Sequence, residues 1–157
     1  MCVQVLSKVE SNLQCIIYLS TATKSMTDVE IEDLLVSARK FNATQNVTGI
    51  LFYLDGNFVQ YIEGTEDALH KVYQRITRSS VHKNIVQKVK EPIAIRNFPH
   101  GFLGATTISK YALFKLQQMD GKEKFNNGLA IVRFLKAIIE LEHRNLRFSS
   151  LDSVVHK

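Results

Sequence analysis

The sequence predicts an α+β protein, a ferredoxin-like βαββαβ sandwich with an additional fifth strand and C-terminal helices. Three observations carry that expectation. Alternating side chains over residues 13–20 precede an amphipathic helix that has its own capping signal. Two apolar strands, 47–54 and 58–63, flank an Asp-Gly pair, which is a strong hairpin signal. A second amphipathic helix then leads to a fourth strand, and the order β-α-β-β-α-β is the split βαβ plan.

In the first strand, Leu13, Cys15, Ile17 and Leu19 alternate with Gln14, Ile16, Tyr18 and Ser20. Tyr18 therefore stands on the opposite sheet face from Ile17. A polar stretch leads to Thr27, which can cap a helix while Glu30 returns a bond to the cap backbone. Ile31, Leu34, Leu35 and Ala38 form that helix's apolar stripe. The segment 41–46, FNATQN, is expected to break it, leaving Asn42 just after the helix.

In the returning hairpin strand, Phe58, Gln60 and Ile62 share one face, and Gly64 is expected to end it. Leu69, Val72, Tyr73 and Ile76 give the second helix its core spacing, which is lost near Ser79 and Ser80. Residues 85–95 supply the fourth strand, bounded by Pro92, and 102–108 the fifth. Both helices can then cover one face of the sheet.

The tail divides from this unit near residue 108, giving a domain over 11–108 and a helical extension over 109–157. Ile131, Phe134, Leu135, Ile138 and Leu141 lie near one helical stripe. That stripe is expected to pack on the outer sheet face or its rim, or to serve as a subunit interface.

Composition narrows the function classes. The chain has 157 residues, 45% hydrophobic and 22% charged, which suits one globular domain of ordinary size. It contains no run near the roughly 20 apolar residues that cross a bilayer, and its start does not read as a secretory signal. Two cysteines are too few for a stapled scaffold, so a reduced, cytoplasmic setting is expected. The net charge of +5 is dispersed and reads as a solvated basic surface. Tryptophan is absent.

Conventional catalytic motifs do not occur: the sequence has no G-x-S-x-G, no H-E-x-x-H and no phosphate loop with its lysine. Five histidines are scattered without metal-ligand spacing, so no metal is expected. Glu63 lacks a second clearly placed carboxylate for acid-base work. An RNA-reading sheet is the lesser alternative, because His100–Gly101–Phe102 lacks the basic-aromatic pattern such sheets carry. Tyr18 and Gln60, on neighbouring strands, can instead converge on one site, with the amide of Asn42 nearby.

Around these residues the chain resembles the BLUF family of blue-light sensors using flavin, short forms with a helical extension. The matching stretches are IIYLS around Tyr18, SARKFNATQNVTGILFY over 37–53 and GNFVQYIEG over 56–64. VYQRI over 72–76, His82 and RNF over 96–98 add support. The resemblance implies that Tyr18 donates an electron and a proton to excited flavin. Gln60 would bridge Tyr18 and the ring and rearrange its hydrogen bonds after light. Asn42 would hold the pyrimidine side, Arg75 the polar ring edge or phosphate side, and Ile76 the ring face. Phe58, His82 and Leu103 complete the implied cofactor site.

FAD is the implied cofactor, with FMN and riboflavin as alternatives, and the chemistry is hydrogen-bond switching without substrate turnover, so no enzyme is expected. Homo-oligomers and a separate signalling partner are the implied company. A flavin-free module for protein interaction or assembly is the alternative reading. The family pattern R-x-F-x-x-W-x-M reads here as Arg96, Phe98, Gly101 and Leu103, so tryptophan and methionine give way to glycine and leucine. Gly101 gives up a large ring able to pack near the flavin, and Leu103 keeps apolar volume without a thioether.

Overall fold

A computed structural model of the chain describes residues 10–105. The expected helices over 109–157, their packing on the sheet, and the last three residues of the expected 11–108 unit lie outside the described residues.

Seven elements follow one another: β1 (Leu13–Ala22), α1 (Asp28–Thr44), β2 (Thr48–Leu54), β3 (Asn57–Thr65), α2 (Glu66–Thr77), β4 (His82–Pro92) and β5 (Phe102–Ala105). They form one sheet in the order β4-β1-β3-β2-β5, antiparallel throughout except for the parallel β2–β5 pair. This is the ferredoxin-like plan with its fifth strand. At the hairpin Asp55 and Gly56 both take positive φ, 47° and 80°, as a two-residue type I′ turn requires.

Both helices lie on one sheet face. Ile16 and Tyr18 of β1, Leu51 of β2, and Phe58 and Ile62 of β3 pack there with Ile31 and Leu35 of α1 and Leu69 and Val72 of α2. On the opposite face Cys15, Ile17, Ile50, Phe52, Val59 and Tyr61 are buried as well. Burial raises the Cys15 thiol to about 12, with nearby Glu91 adding to the effect, so it stays protonated and packs as a small apolar group.

Thr27 caps α1 as its sequence requires. Its hydroxyl accepts from the Glu30 N–H while the Glu30 carboxylate accepts from the Thr27 N–H, 2.9 Å away. The helix does not break at Phe41, however, and continues to Thr44. Nothing in Phe-Asn-Ala-Thr forbids helical backbone, and contacts with α2 outweigh its weak propensity. The stop is Asn46, at φ 52°, after the Asn42 carbonyl has accepted from the N–H groups of Gln45 and Val47. Asn42 is therefore a residue of the last turn and not of the loop.

Other bounds also move. β1 runs to Ala22 because Thr21 and Ala22 pair with Lys83 and His82 of β4. The same pairing starts β4 at His82, three residues before the expected position, and ends it at Pro92 instead of Ile95. Asn84, at φ 52°, interrupts the alternation that would have marked this start. β3 passes through Gly64 to Thr65, which caps α2 directly.

Gly49 shows why the second strand carries a glycine. A β-carbon there would lie 2.0 Å from the Tyr61 carbonyl oxygen. The chain between β4 and β5 is tied to β3 by Glu63, which is fully buried. Its Oε1 accepts from the Phe98 N–H (2.6 Å) and the Thr48 hydroxyl (3.0 Å). Its Oε2 accepts from the Asn97 N–H and the Tyr61 hydroxyl, both at 2.7 Å. Arg96 adds an ion pair with Glu10 at 2.6 Å, which holds the Glu10 carboxyl below its usual range, and donates to Thr48 Oγ1 at 2.9 Å.

Candidate functional site

The site grows from one row of residues across the sheet. Tyr18 of β1 pairs with Gln60 of β3, Gln60 with Leu51 of β2, and Leu51 with Gly104 of β5. The first three point to the helix side. Tyr18 is fully buried, and its hydroxyl donates to Gln60 Oε1. Its ring meets Tyr73 of α2 edge-on, with centroids 5.8 Å apart. Burial, aided by Tyr73, pushes the Tyr18 phenol well above its ordinary pKa, so it remains a neutral donor.

Gln60 lines a cleft between α1 and α2, and Tyr18 reaches that cleft only through it. The walls are apolar: Leu34 and Ala38 from α1, Leu51 from the sheet, Val72 and Ile76 from α2. Asn42, 2% exposed, also lines it, and its Nδ2 has no hydrogen-bond partner among the described residues. A buried donor left unpaired costs roughly 1–3 kcal/mol, which a ligand acceptor would recover.

Arg75 spans the cleft from α2 to α1. It donates to Ser37 Oγ at 2.9 Å, and its guanidinium carbon lies 4.3 Å from the centre of the Phe41 ring. His82 closes the other side, with Nδ1 2.9 Å from Ser20 Oγ and its ring 4.6 Å from Phe58. Burial lowers His82 to about 4, so the imidazole is neutral at ordinary pH.

The structure thus brings Asn42, Gln60, Arg75, Ile76 and His82 to one cleft, with Tyr18 directly behind Gln60. Phe58 sits behind His82, in tilted contact also with Tyr53 at 4.9 Å, and belongs to the core under the cleft. Leu103 lies in β5 with its backbone opposite Ile50, one position out of the row. Sequence reasoning missed Ser37 and Phe41. Both follow once α1 is continued to Thr44, because Leu34, Ser37, Ala38 and Phe41 then fall on one helical face.

A cleft with apolar walls and a few fixed amides suits a flat heteroaromatic ring with polar edges. The unpaired Asn42 donor and the Gln60 amide are the groups such an edge would meet. Residues 13–103 match the model of the family BLUF, sensors of blue-light using FAD. The chain belongs to the BLUF family.

Among the relatives of this BLUF domain, the photoactivated adenylate cyclase subunit beta of Euglena longa is 33% identical over 90 residues. That match covers 57% of this chain and 10% of the relative, so the chain spans about a tenth of the length of such curated relatives. The dark-state structure of BlrB, a BLUF protein, superimposes with a TM-score of 0.66 at 25% identity, covering 80% of this chain and 96% of that one. Klebsiella pneumoniae BlrP1 with FMN and cyclic diGMP gives 0.60 at 25% identity, covering 82% and 36%.

Membership makes the domain a flavin-based blue-light sensor, a sensory module and not a catalyst. Among the described residues no cluster of His, Cys, Asp and Glu could hold a metal, and no helix is long and apolar enough to cross a membrane.

Proposed function

We propose that Tyr18 and Gln60 are the photoactive pair of this sensor, and that Asn42, Arg75, Ile76 and His82 hold the flavin beside them. FAD is the proposed cofactor. The observation that carries the reading is the Tyr18–Gln60 hydrogen bond at the floor of a cleft whose buried Asn42 donor is unpaired. Bound flavin supplies the light absorption and the electron-accepting ring. Tyr18 holds its phenolic proton at Gln60 Oε1, the position from which electron and proton can leave together. Turning the Gln60 amide end for end exchanges donor for acceptor at both the phenol and the cleft. One such buried bond is worth about 1–3 kcal/mol, enough to bias a two-state neighbour.

The reading includes a division at 108/109, with the 109–157 extension as the output segment acting through a second copy or a partner protein in the cytoplasm. Curated relatives are named as alpha and beta subunits, which favours work in company. Their cyclase activity is not proposed for this chain.

The test is colour, then light. Protein kept in the dark is expected to be yellow, to shift reversibly to the red under blue light, and to lose that shift in Tyr18→Phe or Gln60→Leu. A normal shift in either variant sinks the assignment of the pair. Protein that stays colourless after flavin is added back returns the flavin-free assembly module, the reading favoured by Gly101 and Leu103.

A further inference from the structure

Tyr18 has two neighbours of different kinds. Its hydroxyl donates to Gln60, which lines the cleft described above. Its ring meets the Tyr73 ring of α2, with centroids 5.8 Å apart and planes at 70°. That is an edge-to-face contact at an ordinary packing distance. Tyr18 is fully buried, whereas Tyr73 is half-buried and lines a separate, open cleft between α2 and β4. Glu66 and His70 border that second cleft from the helix, and Gln87 and Lys90 from the strand.

The chain has no tryptophan, so its tyrosines are the aromatic side chains open to one-electron oxidation. Tyr61 is bonded to Glu63 on the opposite face of the sheet, and Tyr53 packs on Phe58. Among the described tyrosines, Tyr73 is the one in ring contact with Tyr18. Burial raises its phenol above the ordinary pKa, so Tyr73 is neutral and its oxidation expels a proton. The two phenols differ in where a proton can go. Buried Tyr18 faces Gln60, while Tyr73 faces water.

We infer that Tyr73 is a second electron donor, which refills Tyr18 after light and carries the oxidised site out to solvent. The inference rests on the reading of Tyr18 as first donor and extends it by one step. In that step Tyr73 gives one electron to the oxidised Tyr18 and one proton to water in the α2–β4 cleft. Tyr18 becomes a phenol again with that electron and with the proton it had passed toward Gln60, returned through Oε1. The electron taken by the flavin stays there, with the restored Tyr18 between it and the oxidised Tyr73. A small reductant in solution, ascorbate, can then return a hydrogen atom to Tyr73 and leave the flavin reduced by one electron.

The test follows the flavin-loaded full chain by absorption after a pulse of blue light. Tyr73→Phe keeps an edge-on ring and removes only the oxidisable phenol. The flavin radical of the parent is expected to outlive that of Tyr73→Phe by at least about ten-fold. Under steady blue light with ascorbate, the parent should lose its yellow colour while Tyr73→Phe and Tyr18→Phe keep theirs. The comparison of parent with Tyr18→Phe does not depend on the folding of Tyr73→Phe. Equal radical decay in parent and Tyr73→Phe, with the red shift intact in both, overturns the relay and leaves Tyr18 as donor. Equal bleaching of these two proteins by ascorbate overturns it as well. A radical yield unchanged in Tyr18→Phe overturns the reading of Tyr18 beneath it, and a chain that binds no flavin overturns both.

Discussion

Asn42 carries opposite obligations in the free and the loaded protein. Alone, its buried Nδ2 has no partner among the described residues, so Asn42→Ala removes an unsatisfied donor and should leave stability unchanged or slightly raised. With flavin present the same change deletes a contact, and affinity is expected to fall about ten-fold, about 1.4 kcal/mol. Thermal unfolding with and without flavin reads both effects, and equal destabilisation in the two states would show a merely structural residue. His82 gives the pH dependence. Its value is about 4 when folded against an ordinary 6.5, so the unfolded chain binds the extra proton between those limits. Stability is therefore full above about 6.5 and declines as pH falls toward 4, by at most about 3 kcal/mol from this residue. His82→Gln should flatten that part of a denaturant midpoint against pH curve. The pair Tyr18 and Gln60 was legible from alternation on neighbouring strands, since a period of two fixes which residues face the helices. The orphaned Asn42 donor was not legible, because burial of an amide depends on where the helix stops.

The elements divide in the same way. Capping box, hairpin turn and helical stripes are local, and each lies where a few adjacent residues place it. The end of α1, the start of β4 and the role of Glu63 are set by contacts far apart in sequence, which no window of residues displays. Glu63 looks in sequence like a strand-end carboxylate and proves to be the tie between β3 and the chain entering β5. Each of its oxygens serves one hydroxyl and one backbone N–H. A hydroxyl can reverse and accept, but a backbone N–H cannot. Either orientation of a glutamine amide therefore sets its NH₂ against the N–H of Asn97 or Phe98. Glu63→Gln is expected to cost about 2–3 kcal/mol and to raise amide exchange at Asn97 and Phe98 above that at Ile62, which sits in the same strand as Glu63. Uniform exchange across both segments would show global weakening without a local tie. The resemblance-bearing blocks VQYIEG and RNF are thus two halves of one hydrogen-bonded unit.

For the whole molecule the sheet gives one route from the cleft to β5. Tyr18 and Gln60 lie in adjacent inner strands, β1 and β3, and the row through them reaches β5 by way of Leu51 and Gly104. Among the described residues β5 is an edge strand, parallel to β2, and the last element. Gly101 enters it at φ 120°, with nothing among the described residues within 4 Å of where a β-carbon would stand. The backbone there is one that a tryptophan adopts only under strain. This chain therefore reaches β5 by a glycine-dependent path, and the hydrogen-bonded row is one connection between pocket and edge. If output leaves by that row and changes assembly, the hydrodynamic radius of the full chain should change on illumination and return in the dark. Gln60→Leu keeps the strand pairing but loses the amide, so it should hold one radius in both conditions. Light scattering after gel filtration, run dark and lit on both proteins, distinguishes the outcomes. An unchanged radius in the parent, with its red shift intact, would place the output in a partner's binding and not in assembly of this chain.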